Sequence, residues 1–153
     1  MELEFISNIA VVFEVEKVLS ENFLYRPTRG KGGRPFLRLD ESVRAYKESL
    51  KEDCESTGFH EYLTELKNCY MNIAVISKYT FFIPEKEFFF QDGRIGRADV
   101  TNMLKAVEDT VLGTVIDDSN VLQTTILKSP YEYKFSTIVA EFDFYYYQIK
   151  SDN

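Results

Sequence analysis

The chain has 153 residues, of which 44% are hydrophobic and 28% are charged, and its formal net charge is −7. This length predicts one domain over residues 1–153, and this composition excludes a disordered tail, a collagen-like chain and a disulfide scaffold. The negative charge argues against a generic nucleic-acid coat protein, although a net value hides local basic patches.

The predicted elements begin with a strand over residues 9–15, where β-branched residues alternate with others. The glycine- and proline-rich segment 26–38 then predicts a loop or a hairpin tip. Asp40 is the predicted N-cap of a helix that Gly58 ends. The apolar residues at helical spacing in this segment are Val43, Tyr46, Leu50 and Cys54.

The middle of the chain predicts one clear helix between strands. Aromatic and β-branched residues over 70–83 predict one or two strands, residues 88–90 a short strand, and Asp92–Gly93 a turn. Residues 100–112 predict a helix, with Asp99 as N-cap and Gly113 as the C′ residue. The apolar stripe of this helix comprises Val100, Met103, Leu104, Val107 and Val111.

The last third of the chain predicts a strand edge at 115–116, a turn over 117–120, and strands over 121–127 and 135–147. One face of the last strand comprises Ile138, Ala140, Phe142 and Phe144. This order of elements predicts an α+β fold, in which helices pack on a mixed sheet.

Cysteine and histidine are scarce. Cys54 and Cys69 fit no CxxC motif, and two unpaired thiols suit a reducing cytoplasm. His60 is the only histidine and is predicted to lie in a loop, so a histidine dyad or a multi-histidine metal site is not expected. The chain shows no signal-peptide pattern, and its apolar runs fall short of the roughly 18 residues of a membrane helix. We therefore expect a soluble cytoplasmic protein with no membrane partner.

The segment 26–38 carries five positive charges and no acidic residue, which leaves −12 on the other 140 residues. Arginine forms bidentate bonds to phosphate and glycine permits close backbone approach, so the segment favours contact with DNA phosphates. The same composition is equally typical of a solvated, flexible loop. The candidate DNA-binding residues are Arg26, Arg29, Lys31, Arg34 and Arg38, which Arg94 and Arg97 extend.

Acidic residues flank the predicted helix. Asp99 precedes it, and the pair Asp117–Asp118 could return beside Asp99 if the next strand packs alongside. Carboxylates gathered in this way suit Mg²⁺, and Lys105 would stabilise charge on a scissile phosphate. Asn102 and Asp109 share the polar helix face with Lys105. The plainer interpretation is an N-cap, a turn and an exposed pair between Lys105 and Asp109.

The helix segment resembles the RusA family of Holliday-junction resolvases. That family carries Asp-x-Asp-Asn-x-x-Lys at the start of a helix, a further Asp, a Gly turn and an Asp-Asp pair before a strand. The family's basic loop and Arg-x-Tyr helix are similar to residues 32–35 and 44–47, and the resemblance covers roughly residues 22–128. The matching residues of the helix motif are Asp99, Asn102, Lys105, Asp109, Gly113, Asp117 and Asp118.

The resemblance implies a RusA-like fold and a small homodimeric endonuclease, of a kind common in phages and prophages. Such an enzyme binds four-way DNA junctions and resolves them by paired nicks with Mg²⁺ or Mn²⁺. Asp99 and Asp118 would hold the metal with the support of Asp117. Lys105 would polarise the scissile phosphate, and Asn102 would orient the carboxylates or cap the helix.

Thr101 stands where the family has its second carboxylate. Threonine offers a neutral oxygen and no charge. Asp117, Asp109 or another acid compensates for this change, or the protein binds junctions with weak or no cleavage. A third hypothesis is a protein-interaction domain with an acidic face and an aromatic C-terminal strand over 142–147.

Overall fold

The computed structural model describes residues 2–19, 25–29, 35–39, 41–96 and 99–148, and for 25–29 and 35–39 it describes the backbone alone. The strands are β1 (Glu2–Val15), β2 (Tyr25–Arg29), β3 (Pro35–Leu39), β4 (Ile73–Pro84), β5 (Val121–Tyr131) and β6 (Ser136–Gln148). The helices are α1 (Glu41–Ser56), α2 (Phe59–Cys69), α3 (Glu85–Phe88) and α4 (Val100–Val111). A 3₁₀ turn over Asp118–Asn120 precedes β5.

The main sheet has the strand order β1-β6-β4-β5. β6 is antiparallel to both β1 and β4, whereas β4 and β5 are parallel. A parallel pair needs a crossover connection, and α4 lies in that connection. β1 pairs with β6 along nearly its whole length, with a shift in register between Phe5 and Ser7. The prediction of a mixed sheet with helices packed on it is confirmed.

The core lies between one face of this sheet and the helices. The predicted face of β6 is fully buried, since Ile138, Ala140, Phe142 and Phe144 are all 0% exposed. The predicted apolar face of α1 is buried as well, from Val43 to Cys54. The aromatic residues over 142–147 belong to β6, where Phe142 and Phe144 pack against Phe59 and Tyr62 of α2.

Three predictions differ from the structure. His60 does not lie in a loop, because α2 begins directly after Gly58, whose φ of 78° allows the sharp change of direction. Residues 88–90 do not form a strand: Phe88 ends α3, and Phe89 makes only an isolated bridge to Ile95. Residues 115–116 are a turn rather than a strand edge, although Ile116 is buried.

The segment predicted as a loop or hairpin tip contains the β2–β3 hairpin. Arg26 stands directly opposite Arg38, and Arg29 stands opposite Pro35. Lys31, Arg34, Arg97 and the predicted N-cap Asp40 lie outside the described residues. Among the helices that the structure describes, none has the length and apolar character needed to cross a bilayer.

Candidate functional site

Asp99 begins α4 and binds the first turn of that helix. Its Oδ1 accepts a hydrogen bond from the Thr101 amide at 3.0 Å and another from the Thr101 hydroxyl, and its Oδ2 accepts from Asn102 Nδ2 at 3.3 Å. The Thr101 hydroxyl, its amide and the charge of Lys128 lower the pKa of this exposed carboxyl. The predicted N-cap is therefore confirmed, with an ionised side chain.

The other end of α4 carries a group of carboxylates that stand closer to the core. Glu108 is half-buried, and burial together with the charges of Asp118 and Asp109 raises its pKa. Glu108 Oε2 and the hydroxyl of the fully buried Tyr79 have no hydrogen-bond partner among the described residues. Burial and the nearby Glu108 raise the pKa of Tyr79 as well.

Asp117 and Asp118 belong to this carboxyl-terminal end. Asp117 caps the 3₁₀ turn by accepting from the Ser119 amide at 2.9 Å, and that bond lowers the pKa of Asp117. Asp118 is exposed and is close enough to Glu108 to raise its pKa. The predicted turn at 117–120 is confirmed, and Asn120 Nδ2 anchors it to the Ile73 carbonyl at 2.9 Å.

The structure does not bring Asp99 and Asp118 together within the chain. Asp99 lies near Lys128, which pairs with Phe81 late in β4, whereas Asp118 lies beside the beginning of β4 at Ile73. The twelve residues of α4 rise by about 18 Å between the two ends. Asp117 and Asp118 follow the helix and lie at the end of the sheet where β4 and β5 begin. They lie there because a parallel crossover returns the chain to the end at which the first strand started.

The predicted metal ligands therefore do not fit a divalent cation as one group within the chain. Within the described part of the chain, no cluster of three or more acidic, histidine or cysteine side chains has the geometry to hold a metal ion. Lys105 is exposed on the second turn of α4, between the two acidic ends, and Asp109 is half-buried near the second end. The predicted polar face of α4 exists, but the carboxylates at its two ends are separate.

Neither α2 nor its contact with the end of α4 was predicted from the sequence. His60 Nε2 lies 3.1 Å from the Val111 carbonyl, and Thr114 Oγ1 lies 3.4 Å from the same nitrogen, so α2 caps the end of α4. The apolar spacing of Phe59, Leu63 and Leu66 was the available signal for α2.

A groove of about 280 Å³ lies between α1 and the carboxyl end of α4. Its α1 wall carries Arg44, Lys47 and Lys51 together with Glu48, and its α4 wall includes Asp109. The three cations are spaced along one side of α1. The lining therefore carries charges of both signs, with most of the cations on α1.

No protein-family model matches the chain. No curated protein matches it either. The resemblance to RusA resolvases therefore depends on the residues quoted above.

Proposed function

We propose that the protein binds four-way DNA junctions as a homodimer of the RusA type, and that the β2–β3 hairpin is its DNA-contacting element. The observation that carries the proposal is the concentration of charge over residues 26–38: five cations and no acid, in a chain that is otherwise strongly acidic. A two-stranded ribbon of this charge suits the phosphate backbone. A dimer presents two such hairpins, which matches the several arms of a junction.

Binding is tested with a synthetic four-way junction and a linear duplex of the same sequence. The triple variant Arg29→Gln, Lys31→Gln, Arg34→Gln should lose most of its affinity, and the slope of log K against log salt should fall by roughly three. The matched control removes three exposed charges elsewhere, Lys17, Lys67 and Lys86, and should bind as the wild type does. Equal losses in both variants would mean that the hairpin is not the contact.

The proposal includes cleavage by paired nicks that depend on Mg²⁺ or Mn²⁺, with Asp99, Lys105 and Asp118 as the residues responsible. The length of α4 separates Asp99 from Asp118 in one protomer, so these carboxylates can act on one phosphate only if they come from different protomers. A twofold dimer contains two such pairs, and two pairs match two nicks.

This arrangement is tested by mixing two inactive variants. Asp99→Asn and Asp118→Asn should each abolish nicking and retain junction binding. In a mixed dimer, one shared pair carries both substitutions and the other carries none, so nicking should return at one strand. The control Glu61→Gln, an exposed carboxylate on α2, should cut normally. Two inactive variants that stay inactive when mixed would exclude the shared pair, and two active variants would exclude both carboxylates.

One observation favours a second candidate function, junction binding without cleavage. Thr101 replaces a family carboxylate, and its hydroxyl donates to Asp99 where the family would place a second charge. The two candidates separate in an assay of the junction across a range of Mg²⁺ and Mn²⁺ concentrations. Bound but uncut DNA at every concentration supports the second candidate, and nicking gained by Thr101→Asp would identify position 101 as the cause.

A further inference from the structure

One end of the main sheet exposes several aromatic side chains beside cations. At this end β4 finishes at Pro84 and β5 finishes at Tyr131, and these two residues pair with each other. β6 begins at the same end, at Ser136. Phe90 in the turn after α3 is 43% exposed, and between β5 and β6 Tyr133 is 69% and Phe135 39% exposed. Apolar side chains that are exposed together on one surface often mark a binding site.

The rings at this end form a ladder that leads from the sheet to solvent. The Phe82 ring lies 5.6 Å from Tyr131, and Tyr131 lies 5.0 Å from Tyr133 at an interplanar angle of 31°. Tyr133 ends this series of rings and is 69% exposed, so it is the ring that a planar ligand reaches most readily. The inner two rings fix the position of the ladder on the sheet.

Cations accompany these rings. Lys134 Nζ lies 5.6 Å from the Phe135 ring, Arg94 Cζ lies 5.6 Å from the Phe90 ring, and Lys128 Nζ lies 5.1 Å from the Phe88 ring. All the cation–ring pairs found among the described residues are at this end of the sheet. Asp92 neutralises Arg94 at 2.6 Å, whereas Lys134 is exposed and directly follows Tyr133 in the chain. The exposed carboxylate of Glu132 directly precedes Tyr133.

An exposed ring with a neighbouring cation is the combination that binds single-stranded nucleic acid, because a base stacks on the ring and the cation meets the adjacent phosphate. We infer that Tyr133 is a stacking platform for an unpaired base, with Lys134 at the flanking phosphate. This inference rests on the proposed function, since the bases that unpair most easily in a four-way junction are those at its branch point. It adds a contact to bases, whereas the hairpin contacts phosphates.

The test uses the full chain and a twelve-nucleotide oligothymidine labelled with fluorescein, and it measures anisotropy at low salt. Tyr133→Leu should weaken binding by about fivefold to a hundredfold. The control Phe5→Leu, an exposed aromatic at the opposite end of the sheet, should bind as the wild type does. Both positions are exposed, so the thermal unfolding of each variant should match that of the wild type.

A second variant reports stacking directly. The chain contains no tryptophan, so Tyr133→Trp introduces a single fluorophore at the platform. It should retain affinity for the unlabelled oligothymidine within about twofold, and bound bases should quench its emission. An unquenched tryptophan in the bound complex would overturn the inference, as would normal binding by Tyr133→Leu.

The same titrations separate the inference from the proposed function. If the wild type binds the four-way junction and not the oligothymidine, the platform is excluded and junction binding stands. If it binds neither, the proposed function fails and the platform fails with it. Oligothymidine binding that is insensitive to position 133 but lost in the hairpin variant would also exclude the platform.

Discussion

The two ends of α4 show how the surroundings of a carboxylate decide its behaviour. At the amino end, Asp99 is exposed and accepts three local hydrogen bonds, of which those from the Thr101 hydroxyl and amide lower its pKa most. At the carboxyl end, Glu108 is half-buried, and burial followed by the charges of Asp118 and Asp109 raises its pKa. Local donors stabilise the charge at the first end, whereas burial and like charges penalise it at the second.

The two ends also differ in their packing. Val107, Val111 and Leu112 at the carboxyl end are at most 1% exposed, and His60 from α2 closes that end. Near the amino end, Val100 and Leu104 are only partly buried. The carboxyl end is therefore anchored more firmly in the core than the amino end, where Met103 retains 6% of its exposure.

The largest expected effect comes from truncating the anchored end. Leu112→Ala should lower the free energy of unfolding by about 2–4 kcal/mol, because it leaves a cavity in a fully packed site. Leu104→Ala, made in the less buried half of α4, should cost less than about 2 kcal/mol. Urea unfolding measures both values. Equal losses would contradict the difference in packing between the two ends.

A smaller effect is expected just after the helix. A Cβ at Gly113 would lie 3.1 Å from both Cα and the carbonyl oxygen of Asp109, and these backbone atoms have little freedom to move. Gly113→Ala should therefore destabilise the protein by about 1–3 kcal/mol in urea unfolding. Gly113→Ser introduces the same Cβ and should cost a similar amount. Wild-type stability in either variant would show that this turn adapts.

The cap at the amino end should contribute less than either change at the carboxyl end. Asp99→Ala removes the acceptor of the Thr101 amide, and Asp99→Asn retains one. Since the pKa of Asp99 is lowered in the folded state, its charge stabilises the protein at pH values above the ordinary pKa of 3.8. That contribution is lost as the pH falls through the folded pKa. Melting temperatures of wild type and Asp99→Ala should therefore converge in acid, and a constant gap would contradict the charged cap.

The smallest expected effect has the opposite sign. The pKa of Glu108 is raised in the folded state. The protonated carboxyl therefore contributes fully to stability at pH values below the ordinary pKa of 4.5, and this contribution is lost as the pH rises through the folded pKa. Glutamine does not ionise, so Glu108→Gln does not lose this stability as the pH rises. The variant should be more stable than the wild type at pH 7, by less than about 1 kcal/mol because the group is partly exposed.

Urea unfolding at pH 4 and pH 7 tests this prediction. The advantage of Glu108→Gln should be present at pH 7 and largely absent at pH 4, where the wild-type carboxyl is mostly protonated. Glu61→Gln is the matched control, since Glu61 is an exposed carboxylate on α2. Loss of stability at pH 7 would show that the charge of Glu108 has a partner that stabilises it.

Much of the fold could be predicted from local patterns. The apolar spacing in α1 and α4 and the alternation in β6 each report burial on one face, and that burial occurs. β1 extends to Glu2, further than its alternating residues suggested, because β6 pairs with it from a distant part of the chain. Such pairing leaves little signal in the strand itself.

The arrangement of the candidate site could not be predicted in the same way. The N-cap at Asp99 and the turn at Asp117 were local features, and both are confirmed. The distance between Asp99 and Asp118 depends instead on whether β4 and β5 run parallel, which is a property of the whole sheet. The hydrogen bond from the Thr101 hydroxyl to Asp99 likewise depends on a rotamer, which residue type alone does not determine.

The long strand β1 has a consequence for aggregation. Among the described strands it lies at the edge of the sheet and pairs with β6 alone, and an edge strand is a template for pairing with another chain. The irregular register between Phe5 and Ser7 interrupts that template, and Glu2, Glu4 and Glu14 add like charges along it. These features disfavour edge-to-edge polymerisation along β1, the longest described strand of the sheet.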